Sequence, residues 1–228
     1  MGTTGSFNAA NLWHDATVTR PLSVHDFVID PSTPHPVVLL AGPSGSGKSH
    51  LAAHAGMPVL RLDDFYRDGD DPNLPFQAEL GIVDWDDPRA WNADAAFECL
   101  MHVARTGTCD LPVYDIGQSK AVGTHRFDVG EHRTFVAEGL FAGELIERCL
   151  SAGILADAIV LARTPWLNYV RRMTRDFARS RKPPRIIVER GWTLLKSEPE
   201  VVVRQVEAGC RPLDAPGARK RLHELAQS

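Results

Sequence analysis

Short apolar runs alternate along the chain with stretches of helical periodicity. Val37-Val38-Leu39-Leu40-Ala41 is continuously apolar, the pattern of a strand buried on both faces. Met57 to Leu62, Arg133 to Ala137 and Ala156 to Leu161 read the same way, and Cys210 to Asp214 predicts a last short strand. Ser49 to Ala55 can open a helix. Asp87-Pro88 offers an N-cap and a proline for the first helical position, after which Ala93, Ala96, Phe97, Leu100 and Val103 keep helical spacing up to Gly107. Leu145, Ile146, Cys149 and Leu150 mark another helix. Trp166, Val170, Met173 and Phe177 form an apolar stripe at helical spacing, with Arg171, Arg172, Arg175 and Arg179 on the opposite face. Trp192 to Glu207 predicts a further helix, and Pro216-Gly217 turns into a final one with Leu222 and Leu225. Leu111 to Asp115 pairs with Ala121 to Phe127 as a hairpin, and residues 68 to 86 are loop-like and acidic. Buried strands alternating with helices predict an α/β fold with a parallel sheet.

Composition adds boundaries. With 228 residues, one domain with a good core is expected, with room for a small lid. A net charge of −4 argues against a general nucleic-acid binder. Against that background, residues 171 to 190 hold seven arginines and one lysine against Asp176 and Glu189, a local net of +6. Cys99, Cys109, Cys149 and Cys210 match no zinc or disulfide spacing, which points to a reducing, cytoplasmic setting. No run approaches the length of a membrane span, and Met1 to Asn11 has no signal-peptide core. No membrane partner is expected, and a homo-oligomer is compatible with the sequence. Residues 1 to about 12 are small and polar, and 13 to 36 are broken by Pro21, Pro31, Pro34 and Pro36, with one short element around Ser23 to Ile29. Residues 1–36 therefore read as a partly disordered extension, and 37–228 as the domain.

The candidate chemistry starts at Gly42-Pro43-Ser44-Gly45-Ser46-Gly47-Lys48-Ser49, between the first strand and its helix. It fits the P-loop pattern, in which glycines let backbone N–H groups converge on phosphate. Lys48 would reach the β- and γ-phosphates of ATP, Ser49 would serve Mg²⁺, and His50 continues the nucleotide-binding stretch. The next strand ends in Asp63-Asp64-Phe65-Tyr66, and a later one in Glu138-Gly139. Ligands of open α/β sheets bind outside the carboxyl ends of the strands, so these acids can meet the nucleotide there. Beside a P-loop, the basic segment at 171–190 reads as an arginine lid over transferring phosphates.

In this order the motifs resemble the uridine kinase family, within the wider phosphoribulokinase/uridine kinase group. The likeness runs from about Val37 to Lys182. Leu62-Asp63-Asp64-Phe65-Tyr66-Arg67 is similar to the family's D-S-F-Y-K, whose first Asp receives the proton of the acceptor hydroxyl, here Asp63. Trp85-Asp86-Asp87-Pro88-Arg89-Ala90-Trp91 is similar to F-D-H-P-x-A-F, which places Asp86 on the ribose hydroxyls. Pro112-Val113-Tyr114-Asp115 matches P-x-Y-D, which sets Tyr114 by the base, with Tyr66 on the same acceptor side. Val136-Ala137-Glu138-Gly139-Leu140 puts Glu138 on the metal side, and Arg171-Arg172-Met173-Thr174-Arg175-Asp176 matches the lid motif R-R-x-x-R-D. The family's base-holding His has no counterpart among Gln118, Ser119 and Lys120, and Arg179-Ser180-Arg181-Lys182 replaces the usual R-G-R.

The resemblance implies a P-loop NTPase of the nucleoside/nucleotide kinase type, with about five parallel strands between helices and an arginine-rich lid. It implies ATP and Mg²⁺ as cofactors and a small nucleoside-like acceptor such as uridine or cytidine. Arg171, Arg172 and Arg175 would close over the phosphates, with Arg172 also near the acceptor. Two alternatives stay open: a kinase of another small alcohol, such as pantothenate or a sugar phosphate, and a nucleotide-binding regulator without turnover. There is no N-K-x-D guanine-reading motif.

Overall fold

In the computed structural model the described residues are 29–77, 81–179 and 184–227, with the backbone alone for 175, 176, 178, 179, 184–190 and 193. The chain enters through β1 (Val37–Ala41), α1 (Lys48–Ala53) and β2 (Val59–Arg61). A short ribbon, β3 (Phe76–Gln77) with β4 (Ile82–Val83), leads to α2 (Ala93–Thr106) and the hairpin β5 (Thr108–Asp115) and β6 (Lys120–Asp128). Then come β7 (Phe135–Glu138), α3 (Ile146–Ser151), β8 (Leu155–Leu161), α4 (Pro165–Arg179), α5 (Pro184–Glu207), β9 (Arg211–Leu213) and α6 (Ala215–Ala226).

Five strands form one parallel sheet in the order β2-β7-β1-β8-β9. The strands are apolar throughout because both faces are covered. Val37, Leu39 and Ala41 face a core with Leu100 and Val103 of α2, Ile146 and Cys149 of α3, and Val202 and Val206 of α5. Val38 and Leu40 face Leu51 and Ala52 of α1 and Leu222 and Leu225 of α6. This alternation follows from the two-residue period of a strand. The predicted α/β class and the parallel sheet of about five strands are present.

Several elements differ from expectation. Asp87 caps only a 3-10 turn over Pro88–Ala90, accepting from Arg89 N–H. The long helix starts afresh at Ala93, where Asn92 accepts from Ala95 N–H. Trp91 separates the two because its indole N–H donates to Leu62 O at 2.7 Å and its backbone bridges to Tyr66. The acidic stretch 68 to 86 includes the β3–β4 ribbon. Pro216 and Gly217 lie inside the first turn of α6, not before it, because Asp214 is the cap and accepts from Gly217 N–H. The expected element at Ser23 to Ile29 lies, except for Ile29, outside the described residues.

Helix α4 is turned opposite to the usual amphipathic arrangement. Trp166, Val170 and Phe177 of its apolar stripe are exposed, and of the four only Met173 is buried. Asn168 and Arg172 are buried instead. The reason is what α4 covers. It lies on the polar P-loop rather than on the sheet, as the next section shows, so its polar side chains are the ones that find partners.

Candidate active site

The strand order brings three carboxyl ends together. In register, Leu40 of β1 and Arg61 of β2 both sit opposite Glu138 of β7. The P-loop after β1, Asp63 after β2 and Glu138 at the end of β7 therefore share one edge of the sheet. Gly139 permits the close approach: a Cβ there would stand 2.8 Å from Leu62 Cβ and 3.0 Å from Asp63 Oδ1.

The P-loop folds around Lys48, whose Nζ donates to Pro43 O at 3.3 Å. The Ser49 hydroxyl donates to Glu138 Oε1 at 2.8 Å. Glu138 Oε2 is buried with no hydrogen-bond partner, as is the Ser46 hydroxyl. Burial pushes the Glu138 carboxyl above its ordinary range, Lys48 opposes this, and the nearby Asp63 charge adds to it. Among the described residues no three His, Cys, Asp or Glu side chains converge as a metal cage. A Mg²⁺ held by one hydroxyl, one carboxylate and phosphate oxygens needs no such cage. The unpartnered carboxylate oxygen fits the metal, and the Lys48 cation fits the phosphate oxygens. His50, expected to continue the nucleotide site, is exposed on α1 and pairs with the His54 ring at 4.5 Å.

The adjacent acids Asp63 and Asp64 diverge. Asp63 is half-buried, and its Oδ1 accepts from Leu140 N–H at 3.1 Å, just past Glu138. Asp64 is buried and turns to the other side, 3.7 Å from Arg61 and near Tyr114 N–H and His125. Burial raises the Asp64 carboxyl, and Arg61 only partly offsets that. A 3-10 turn over Leu62–Phe65 produces the divergence, since consecutive side chains of a helical turn point about 120° apart.

Beyond Asp63 lies an aromatic group. Tyr66 meets Trp85 at 5.8 Å and Tyr114 at 5.9 Å between ring centroids. The Tyr66 hydroxyl donates to Trp85 O, and that of Tyr114 donates to Arg67 O. Burial, aided by Asp68, pushes the Tyr114 hydroxyl up to about 12, so it stays a donor. Asp86 follows Trp85 and is half-buried. A cavity of about 560 Å³ opens beside Trp85, with Gln118, Ser119 and Lys120 along one wall and no P-loop residue in its lining.

On the other side, α4 covers the P-loop. A Cβ on Gly45 would stand 2.8 Å from Asn168 O and 3.3 Å from Arg172 Cβ, and Gly45 has φ +85°. Gly45→Ala should therefore cost about 1–2 kcal/mol from the left-handed backbone alone, and more from displacing α4. Urea unfolding of the variant checks this; a midpoint unchanged from the parent would contradict the packing. Arg172 donates to Ser44 O at 3.1 Å, and the Arg171 guanidinium would lie 3.5 Å from a Cβ on Gly47. The side chain of Arg175 lies outside the described residues.

Sequence reasoning missed Asn168, Glu198 and Arg163. Asn168 donates through Nδ2 to Glu198 Oε1 of α5, and both residues are buried. Asn168 stands four residues before Arg172, a helical spacing that could have flagged it. Glu198 carried no signal in a segment of poor likeness. Arg163 follows β8, and burial together with Arg171 and Arg219 holds its guanidinium below the ordinary range.

No protein-family profile matches the chain. Over 123 residues, 50% of the chain, it is 28% identical to a uridine kinase from Saccharomyces cerevisiae, covering 24% of that protein. Over 185 residues, 75% of the chain, it is 26% identical to the inorganic pyrophosphatase TTM2 of Arabidopsis thaliana, covering 25% of that protein. The chain thus spans about a quarter of the length of the curated relatives it matches. Among solved structures, a protein from Silicibacter sp. named for a fructose transport system kinase superposes with a TM-score of 0.53 at 22% identity, over 82% of this chain and 91% of that one. Phosphoribulokinase from Rhodobacter spheroides gives 0.50 at 17% identity, over 82% and 74%. The fold is that of the P-loop kinases among these structures, and half of the chain is similar in sequence to a uridine kinase.

Proposed function

We propose that this chain is an ATP-dependent phosphotransferase that moves the γ-phosphoryl group to a primary hydroxyl of a small, nucleoside-like acceptor. One observation carries the reading. Asp63, which accepts from the Leu140 backbone N–H, stands at the same strand ends as Lys48 and the Ser49–Glu138 pair. A nucleotide binder without turnover needs the second set but not Asp63.

Mg²⁺–ATP, when bound, supplies the phosphoryl group and a metal charge that neutralises it. The chain's residues do the rest. P-loop amides and Lys48 hold phosphate oxygens. Ser49 and Glu138 hold the metal, directly or through water. Asp63 orients the acceptor hydroxyl and takes its proton late. Arg171 and Arg172 face the developing charge from α4, and Arg175 is the third cation of the lid motif. Asp86 and Tyr114 hold the acceptor, with Tyr66 behind them. The free cysteines suit a cytoplasmic setting.

A panel of nucleosides and other small alcohols, read by ADP release, tests the proposal. Release with no member above the acceptor-free rate overturns it. The second reading, another small alcohol, is favoured by Gln118, Ser119 and Lys120 on the cavity wall beside Trp85. The panel therefore includes sugars and sugar phosphates. Pyrophosphate, with phosphate release as readout, checks the activity named for the Arabidopsis relative.

Asp86→Ala should weaken acceptor binding by about 1.5–3 kcal/mol, the worth of hydrogen bonds to a charged acceptor. ATP binding should change little. Calorimetry with the best panel member decides, and equal acceptor affinity would remove Asp86 from the site.

A further inference from the structure

Two thiols meet between α2 and β5. Helix α2 ends at Thr106, and Gly107, at φ +77°, turns the chain back in the left-handed region. Strand β5 therefore starts at Thr108 alongside the helix it has just left. The reversal sets Cys109 beside Cys99, about two turns back along α2. The Cys99 thiol donates to Cys109 Sγ at 2.6 Å, and the Cys109 thiol donates to Asp110 O at 3.7 Å. Unbonded heavy atoms rest roughly 3.5–4 Å apart, whereas a disulfide spans about 2.05 Å. Two regular elements thus hold the sulfurs in close contact. The sulfurs differ in access. Cys99 is 6% exposed and belongs to the core that holds Leu100 and Phe127, whereas Cys109 is only partly buried. Burial pushes the Cys99 thiol up, so alone it is a poor nucleophile. Cys149 and Cys210 are fully buried.

We propose that Cys99 and Cys109 form a reversible dithiol–disulfide site, in which Cys109 meets a hydroperoxide and Cys99 resolves the product. The Cys109 sulfur attacks one peroxide oxygen, and the O–O bond breaks. The sulfur is oxidised by two electrons to a sulfenic acid, and the other oxygen leaves as water or an alcohol, taking the Cys109 proton. Cys99 then gives up its proton, its sulfur bonds to Cys109, and the sulfenic hydroxyl leaves with that proton as water. Contact offsets the weak nucleophile, because this second step is intramolecular. The bond pins the foot of the β5–β6 hairpin, which carries Tyr114, to α2. Transient pairs of this kind are compatible with a reducing compartment. The site lies apart from the P-loop and holds whatever the acceptor is.

The test oxidises the full chain with hydrogen peroxide, unfolds it in iodoacetamide and reads the peptides by mass spectrometry. Cys149 and Cys210 should be alkylated, while Cys99 and Cys109 appear in one linked pair of peptides, lighter by two hydrogens. Dithiothreitol should restore four alkylated cysteines. Cys109→Ser should leave the other three as thiols at the same dose. Cys99→Ala should arrest Cys109 as a sulfenic acid, which dimedone captures. The oxidised chain should melt about 5 °C above the reduced one, since the bond constrains the unfolded state. Four alkylated cysteines after oxidation overturn the proposal, and so does a bridge to Cys149, to Cys210 or to a second chain. A Cys99–Cys109 bond that lowers the melting temperature would mean that α2 and β5 must shift to make it, and the preformed pair would be refuted.

Discussion

Lys48→Ala should reduce turnover by roughly 10²–10³, the loss seen when one preorganised donor to developing charge is removed. Two effects act together. The first is direct, since the ammonium no longer meets the transferring phosphate. The second runs through Glu138. Burial already raises that carboxyl, and Lys48 is the largest influence holding it down. A carboxyl whose folded value rises carries more protons near neutrality, and a protonated Glu138 is a poor partner for Mg²⁺. The variant should therefore regain part of its activity as pH increases, as Glu138 ionises again. Lys48 is only 7% exposed but is bonded to a single carbonyl, Pro43 O, so the fold should survive. Circular dichroism melts check the fold, and ADP release against pH checks the rest. Turnover within tenfold of wild type would mean that this loop does not hold the phosphate.

The sheet was legible because its signal is local. A strand buried on both faces must be apolar throughout, and Val37 to Ala41, Arg133 to Ala137 and Ala156 to Leu161 each announce one. Strand ends then follow, and with them the shared edge of Lys48, Asp63 and Glu138. Turn chemistry was less legible. Asp87-Pro88 is a good helix start by local rules, yet tertiary bonds at Trp91 end that turn after Ala90. Helix α4 shows the limit most clearly. Its pattern gives an amphipathic helix but not what the helix packs on. Because α4 covers the P-loop rather than a sheet, Arg172, which donates to Ser44 O, and Asn168 face inward, and Trp166 and Phe177 face out. Glu198 could not be found from sequence at all, since its role depends on a neighbour 30 positions away.

Two adjacent acids are candidates for the base, and the proposed one is Asp63. Asp63→Asn should lower turnover by roughly 10²–10⁴, the worth of general-base assistance, while ATP affinity stays within a few-fold. An alcohol has a high pKa and becomes acidic only as its oxygen bonds to phosphorus. A carboxylate beside it can orient the hydroxyl and accept the proton late; an amide can orient but not accept. Asparagine can still take the Leu140 N–H bond, so the turn should hold its shape. Asp64 is the rival, but it is buried towards Arg61 and Tyr114, away from Leu140. Asp64→Asn should therefore shift stability more than turnover. Single-turnover kinetics separate the phosphoryl-transfer step from product release in both variants. An inactive Asp64→Asn beside an active Asp63→Asn would reverse the assignment. Full turnover in both would remove this turn from the chemistry, and the resemblance to uridine kinases would then not extend to mechanism.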